Sequence, residues 1–372
     1  MAGVLAIDYF VYKERNNDYF SIICLSSLFF IYLFSVLYSS DIINGLIKTK
    51  TTLVFLVHSL FLLKYRKIIS NKIIDNCMVL FVLAVLIVSI ASIVSSFLSC
   101  SNIIFREVCF TPENFSKSFI TYHKLYFALY VLIAYVFTYF KSLSRSRFIN
   151  HTVQFFLIGV LCFLRGRNSI IVAIIFTFIF YTFQFLKTKR VFNLLIGVLV
   201  LFSIFGITFS NAQLLNKFKE SINYNNEYGI KKSWGGTSVR LLIWKYSFKA
   251  VNNHYIFGLG IGDVKNGLRD SYITCNESSA LKGKLYNCHN QFIQIIVTSG
   301  LFGLIIFMIS QIYLIRNSIL KNNYLHLTLV LIFLFSCLTE SIFERDYGVK
   351  LFSFFCVLFY NKNIINENSS NT

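Results

Sequence analysis

The stretch YNCHNQFIQIIVTSGLFG, residues 286–303, sets a histidine and an asparagine directly before an apolar run that continues to about residue 315. Such a run is too long for an ordinary core helix and matches the roughly 17 to 25 residues that cross about 30 Å of hydrocarbon as α-helix. Similar runs recur along the whole chain. The 372 residues are 56% hydrophobic and 18% aromatic, with 42 Phe against a single Pro, whereas a soluble domain is about 45 to 50% apolar. The expected fold class is an all-α polytopic membrane protein. No cleavable signal peptide is expected, because the first 19 residues hold too short an apolar run and no small-residue cleavage site.

Ten spans are predicted, within a range of nine to twelve: residues 20–38, 42–63, 76–99, 125–140, 149–164, 169–186, 191–209, 291–315, 324–338 and 349–360. Lys48 and Lys50 fall inside the second, so a short helix followed by a re-entrant or interfacial piece is the alternative there. Positively charged short loops stay cytoplasmic. With both termini inside, the cytoplasmic segments hold 15 Lys plus Arg and the short outer loops hold 6. The chain then divides into membrane helices over 1–209, a large outer loop over 210–289 with amphipathic helices, and membrane helices with a cytoplasmic tail over 290–372.

The formal charge of +19 does not point to nucleic acid, because the charges lie in the gaps between spans rather than on one soluble face. The large loop carries 11 Lys plus Arg against 5 Asp plus Glu. Long loops escape the positive-inside bias, so the excess either carries no message or attracts anionic lipid headgroups. Of nine Cys, four (Cys100, Cys109, Cys275 and Cys288) fall on the outer side, where disulfides within or between the loops and free thiols are all open. No metal site is expected, for want of a C-x-x-C or a His/Cys cluster at ligand spacing.

Four places carry candidate chemistry. His289 heads the eighth span, and on a continuous helix Gly300 and Gly303 return close to its face. The plain reading is an interfacial histidine over a packing stripe. The same helix end, with Asn290 as candidate cap, offers unpaired N–H groups that favour anions, and a neutral imidazole can accept a hydroxyl proton. Arg165 and Arg167, in FLRGRNSIIVAIIF, sit in a very short outer turn. They either snorkel to lipid phosphates or clamp a diphosphate with bidentate donors.

The third place is GGTSVRLLIWKYSFKAVNNHYIFGLGIGD. Residues 238–252 have helical spacing, with Thr237 or Ser238 as N-cap and Arg240, Trp244 and Phe248 on one face. An interfacial helix with its aromatic face toward lipid is expected. The Gly spacing of GLGIGD is wrong for a dinucleotide site, so Gly258, Gly260 and Gly262 are read as shaping the loop. The fourth is TYHKLYFALY, with His123 and Lys124 at the outer mouth of the fourth span.

No Asp or Glu lies inside a predicted span, and there is no Asp-x-Asp, P-loop or G-x-S-x-G. This weighs against a Mg²⁺-dependent sugar-nucleotide transferase and a proton-coupled carrier. A lipid-linked oligosaccharide flippase or other transporter would be expected to break helices at the midplane and repeat its halves; Pro112 lies in a loop and nothing repeats. A non-catalytic scaffold would leave Arg167, Arg240 and His289 at one outer boundary without a reason.

HNQFIQIIVTSGLFG, SVRLLIWKYSFKAV followed by IFGLGIGD, and RGRNSIIVA keep the order and spacing of a known family over roughly residues 119–310. The chain resembles the O-antigen ligase and polymerase superfamily of polytopic, GT-C-like membrane glycosyltransferases. The resemblance implies transfer of a glycan from undecaprenyl diphosphate to a sugar hydroxyl, at the periplasmic face of the bacterial inner membrane, without nucleotide, metal or cofactor. By position His289 would be the general base, with Arg240 and Arg167 binding the diphosphate. Arg165, Asn290, His123, Lys124, Trp244, Gly258 and Gly260 would be the substrate contacts. Partners on this reading are the lipid-linked donor, membrane lipids, an acceptor and a chain-length regulator protein. A ligase uses lipid A core as acceptor in lipopolysaccharide synthesis, and a polymerase uses a second lipid-linked glycan. The His-Asn-Gly-Gly pattern and the TYH at the span mouth favour the ligase.

Overall fold

In a computed structural model, residues 18–98, 123–189, 197–198, 200–202, 206, 236–274 and 286–360 are described. Among them every regular element is helical. The expectations for the amino terminus, for most of span 191–209, for Cys100, Cys109 and Cys275 and for the polar tail lie outside these residues. Four helices are long and apolar enough to cross a membrane, five if one bent pair is a single span. The chain is a multi-pass membrane protein by that measure.

The described residues cluster in two compact units, one drawn from 1–74 and 223–372 and the other from 75–222. The first unit holds α1 (Asp18–Leu25), α2 (Ser27–Val36) and α3 (Ile42–Lys64). α1 and α2 meet at 69°. The expected interruption therefore falls in the first predicted span, and the second is one continuous helix. Asp41 caps α3 by accepting from Asn44 N at 3.0 Å, and Lys48 is accommodated because its Nζ donates to the Ile261 carbonyl at 3.0 Å.

The second unit holds α4 (Asn71–Leu98), α5 (Lys124–Phe140), α6 (Arg147–Phe163) and α7 (Arg167–Thr188). α5 is its centre, buried from Tyr126 to Thr138 apart from Tyr130. Its polar groups are satisfied internally, as a dry interior requires: Tyr135 pairs with Thr177 at 2.7 Å and Thr138 accepts from Gln154 at 3.1 Å.

The first unit continues with α8 (Gly236–Ala250), α9 (Val264–Ile273), α10 (Gln291–Leu320), α11 (Tyr324–Cys337), a 3-10 turn (Ile342–Glu344) and α12 (Asp346–Tyr360). α8 and α9 close a small core over the start of α10, built from Leu242, Ile243, Tyr246, Leu268, Tyr272 and Val297 among others. Large apolar side chains such as Ile43, Leu80, Ile87 and Phe148 lie on the outside of the helices, the inverse of a soluble surface and the pattern lipid requires.

α10 is broken at Gly300, where φ is 66° and ψ is −167°. The break removes the bonds that Leu301 N and Phe302 N would make to the carbonyls of Val297 and Thr298. The loop after α8 replaces them. Leu259 N and Gly260 N donate to those two carbonyls at 2.9 Å each, and Leu301 N and Phe302 N donate to the carbonyls of Tyr255 and Ile256 at 2.8 and 3.1 Å. These four backbone groups thus regain partners. Gly258, at φ 73°, makes the approach possible, since a Cβ there would lie 2.7 Å from Gly300 N; a Cβ on Gly300 would collide with the Ile256 carbonyl.

This corrects the expectation of a glycine packing stripe below His289: Gly300 is a splice point, and the face count does not carry across it. Gly303 keeps the packing role, with Ile31 of α2 against it. The other end of the loop is fastened to the turn between α2 and α3. Gly262 N donates to Ser39 Oγ at 3.1 Å, Tyr38 donates to the Phe257 carbonyl at 2.6 Å, and Asp263 accepts from Ser40 N at 2.6 Å.

Candidate active site

The first turn of α10 is built by its own cap. Asn290 Oδ1 accepts from Phe292 N and Ile293 N at 2.9 and 3.1 Å, and its Nδ2 donates to the Leu338 carbonyl at 2.9 Å. Asn290 N donates to Ser341 Oγ at 3.2 Å, and Gln291 Oε1 accepts from Phe343 N at 2.9 Å. Two neighbouring residues therefore staple the turn after α11 onto the head of α10. The staple brings Glu340 to His289, whose backbone is in the left-handed region at φ 46°.

His289 Nδ1 lies 2.8 Å from Glu340 Oε1. The carboxylate's second oxygen, Oε2, lies 3.3 Å from Arg240 Nη2. All three side chains are partly exposed, at 27% for His289, 25% for Arg240 and 16% for Glu340, so the cluster is open to a ligand yet held by protein. Arg240 is aimed by Trp244, one turn along α8, whose Nε1 donates to the Cys288 carbonyl at 2.9 Å. This corrects the expected lipid-facing aromatic face of α8: Trp244 turns inward to the segment before α10, while Phe248 is exposed.

A carboxylate on Nδ1 fixes the imidazole as the Nδ1–H tautomer and leaves Nε2 to accept a proton, the arrangement used by a base that must be oriented and then stabilised when charged. Cys288 is not a competing nucleophile. It is a free, buried thiol beside Ser247 at 3.4 Å, and burial pushes it up to about 12, so the thiolate is scarce at neutral pH. It takes no part in the disulfides considered for the outer cysteines. Behind the site Glu344 accepts from Tyr32 at 2.7 Å, and burial raises its carboxyl above the usual range.

His289, Asn290, Arg240 and Trp244 are thus brought together in the first unit. Gly258 and Gly260, expected at the substrate, are buried against the α10 break and Ser39 respectively, and their part is to shape the docked loop. Arg165, Arg167, His123 and Lys124 share one end of the second unit. Arg165 takes φ 53°, Arg167 opens α7 behind Gly166, and a Cβ on Gly166 would lie 2.9 Å from Ala128 in α5, just past His123 and Lys124. A cation at a helix N-terminus opposes the helix dipole by about 0.3–1 kcal/mol, a cost that a bound anion would reverse.

Sequence reasoning missed Glu340, Ser341, Gln291 and Tyr32. Attention to carboxylates inside spans passed over the short loop TESIFERD, residues 339–346, which holds three of the chain's 16 acidic residues. Among the described residues no group of three His, Cys, Asp or Glu could hold a metal ion.

Residues 153–308 match the family model described as O-Antigen ligase (Wzy_C). The match contains Arg165, Arg167, Arg240 and His289, and Glu340 lies beyond it. No curated protein matches the chain. The family match over residues 153–308, together with the order of the three motifs, supports assigning the chain to the O-antigen ligase and polymerase superfamily.

Proposed function

We propose that the protein is a membrane glycosyltransferase that moves an undecaprenyl-diphosphate-linked glycan onto a sugar hydroxyl of lipid A core, as an O-antigen ligase. The observation that carries this reading is the 2.8 Å contact between His289 and Glu340 with Arg240 on the same carboxylate. His289 Nε2 takes the acceptor proton, the hydroxyl oxygen attacks the anomeric carbon, and the bond to the diphosphate breaks with its electron pair on the diphosphate oxygen. Arg240 receives that charge through bidentate hydrogen bonds, and Arg167 and Arg165 are the second unit's own candidates for binding a diphosphate. His123 and Lys124 add positive charge at the end of the second unit that carries these two arginines. Asn290 and Trp244 hold the site's frame. No metal is required, since guanidinium groups supply the charge stabilisation.

The reaction on this account takes place on the periplasmic side of the inner membrane, with ten spans and both termini in the cytoplasm. A transporter would use broken helices to expose backbone groups to its cargo. Here the break in α10 spends those groups on the protein's own loop, which favours the enzyme. The test is incubation of purified protein with undecaprenyl diphosphate glycan and either acceptor, followed by product sizing. One added chain on lipid A core supports the ligase, and a ladder of longer lipid-linked chains would replace it by a polymerase. Donor crossing a vesicle bilayer with no new glycosidic bond would replace both by a transporter.

A further inference from the structure

Of the 30 residues of α10, the Gly300 break leaves 20, Leu301 to Leu320, on its far side, the length of one span. They are the lipid-facing part. Every exposed large apolar side chain of α10 falls among them, including Leu301, Phe302, Ile305, Ile309, Ile312 and Leu320. The part before the break is covered instead, with Ile293 and Val297 in the core shared with α8 and α9. α9 turns Lys265, Asn266, Arg269 and Asp270 outward, a face that belongs in water because charge is costly in hydrocarbon. Water and lipid therefore meet near the break.

The loop docked at that level has an apolar tip. Residues 252–257 are exposed throughout, and their character changes from Asn252, Asn253 and His254 to Tyr255, Ile256 and Phe257. Ile256 is 65% exposed. The Phe257 ring stands 5.8 Å from that of Phe302 and 6.2 Å from that of Tyr38, and Phe34 stands 6.1 Å from Phe302. This row joins the tip to α2 and to the lipid-facing part of α10. The turn to which the loop is fastened continues it, with Leu37 78% exposed and Ile42 and Ile43 exposed at the head of α3, itself a span of 23 residues.

We propose that Tyr255, Ile256 and Phe257 form a wedge that enters the nearer bilayer leaflet beside α2 and α10 and rests on lipid acyl chains, seating the water-facing layer of α8 and α9 on the membrane. Continuity with the lipid-facing helices names the occupant. The backbone of the tip is prepared for it. The carbonyls of Tyr255 and Ile256 accept from Leu301 N and Phe302 N, and that of Phe257 accepts from the Tyr38 hydroxyl at 2.6 Å. All three carbonyls are thus bonded within the protein, as lipid requires, while the side chains point away from it. Tyr38 and Tyr255 supply the ring with a polar tip that is enriched where hydrocarbon meets headgroups. The interfacial role expected for the aromatic face of α8 passes to the loop that follows it.

The test replaces Ile256 by Trp in the full chain, in phospholipid vesicles whose acyl chains carry bromine at a shallow or a deep position. Emission is read as the difference from wild type, which has two Trp of its own. Ile256→Trp should add blue-shifted emission that both lipids quench, the shallow one more, at a depth of about 5–10 Å into the headgroup and acyl boundary. Asp270→Trp, on the outward face of α9, should add emission that neither lipid quenches. Tyr255→Trp exchanges one aromatic ring for another and gives the same reading if Ile256→Trp does not fold. Added emission at the wavelength of Trp in water would overturn the wedge. Blue-shifted emission untouched by bromine would overturn it too, since a second copy or another protein would then cover the tip. Equal quenching of Asp270→Trp would overturn the seating of α9 in water.

Discussion

Gly258 and Gly300 face each other across a broken helix: the space a side chain would need on Gly258 is taken by the backbone nitrogen of Gly300, 2.7 Å away. The loop that carries Arg240's helix toward α9 is spliced into the helix that carries His289. The two halves of the site in this unit are therefore set by one backbone junction.

Gly300→Ala should break that junction. It places a Cβ on the Ile256 carbonyl and forces φ 66° on an L side chain, a conformation that costs about 1–2 kcal/mol before the clash is counted. Thermal unfolding in detergent should show a drop of several degrees, and transfer should fall with it. An unchanged midpoint would mean that the loop is not docked at the break.

Asn290→Ala removes a helix cap and the bond to the Leu338 carbonyl together. Cap loss costs about 1 kcal/mol, and the loosened turn moves Glu340 away from His289. The expected result is a lower transfer rate with donor binding largely kept, read as a fall in kcat with little change in KM.

Alkaline pH should weaken the fold through Cys288. Its thiol is held neutral by burial, pushed from the usual 9.0 up to about 12. The folded state then binds more protons than the unfolded chain above pH 9, so this contribution is complete below 9.0 and is lost as pH rises toward 12. Cys288→Ala should reduce the slope of stability against pH between 9 and 10.5 in denaturant unfolding. In native wild type a maleimide at pH 7.5 should leave Cys288 unmodified until the protein unfolds.

Composition and periodicity were enough for a helical membrane protein, because lipid forces long apolar runs and internal backbone pairing. The head of α10 was legible for the same local reason: His-Asn before an apolar run is a capped helix start. Arg240 was legible through its helix. Glu340 was not, because its partnership with His289 spans 51 residues and is made by a staple through Ser341 and Gln291, residue types with no signal of their own. The Gly300 break escaped for a related reason. A glycine in an apolar run looks the same whether it packs a helix or ends one, and only the loop from Tyr255 to Gly260 decides between them.

The base assignment is tested most directly by His289→Ala in purified full-length protein, with donor binding and glycan transfer measured on the same sample. The account predicts that donor binding is retained and that transfer falls by a factor of about 10² to 10⁴, the range for removal of a general base. Transfer at a near wild-type rate by His289→Ala would contradict it.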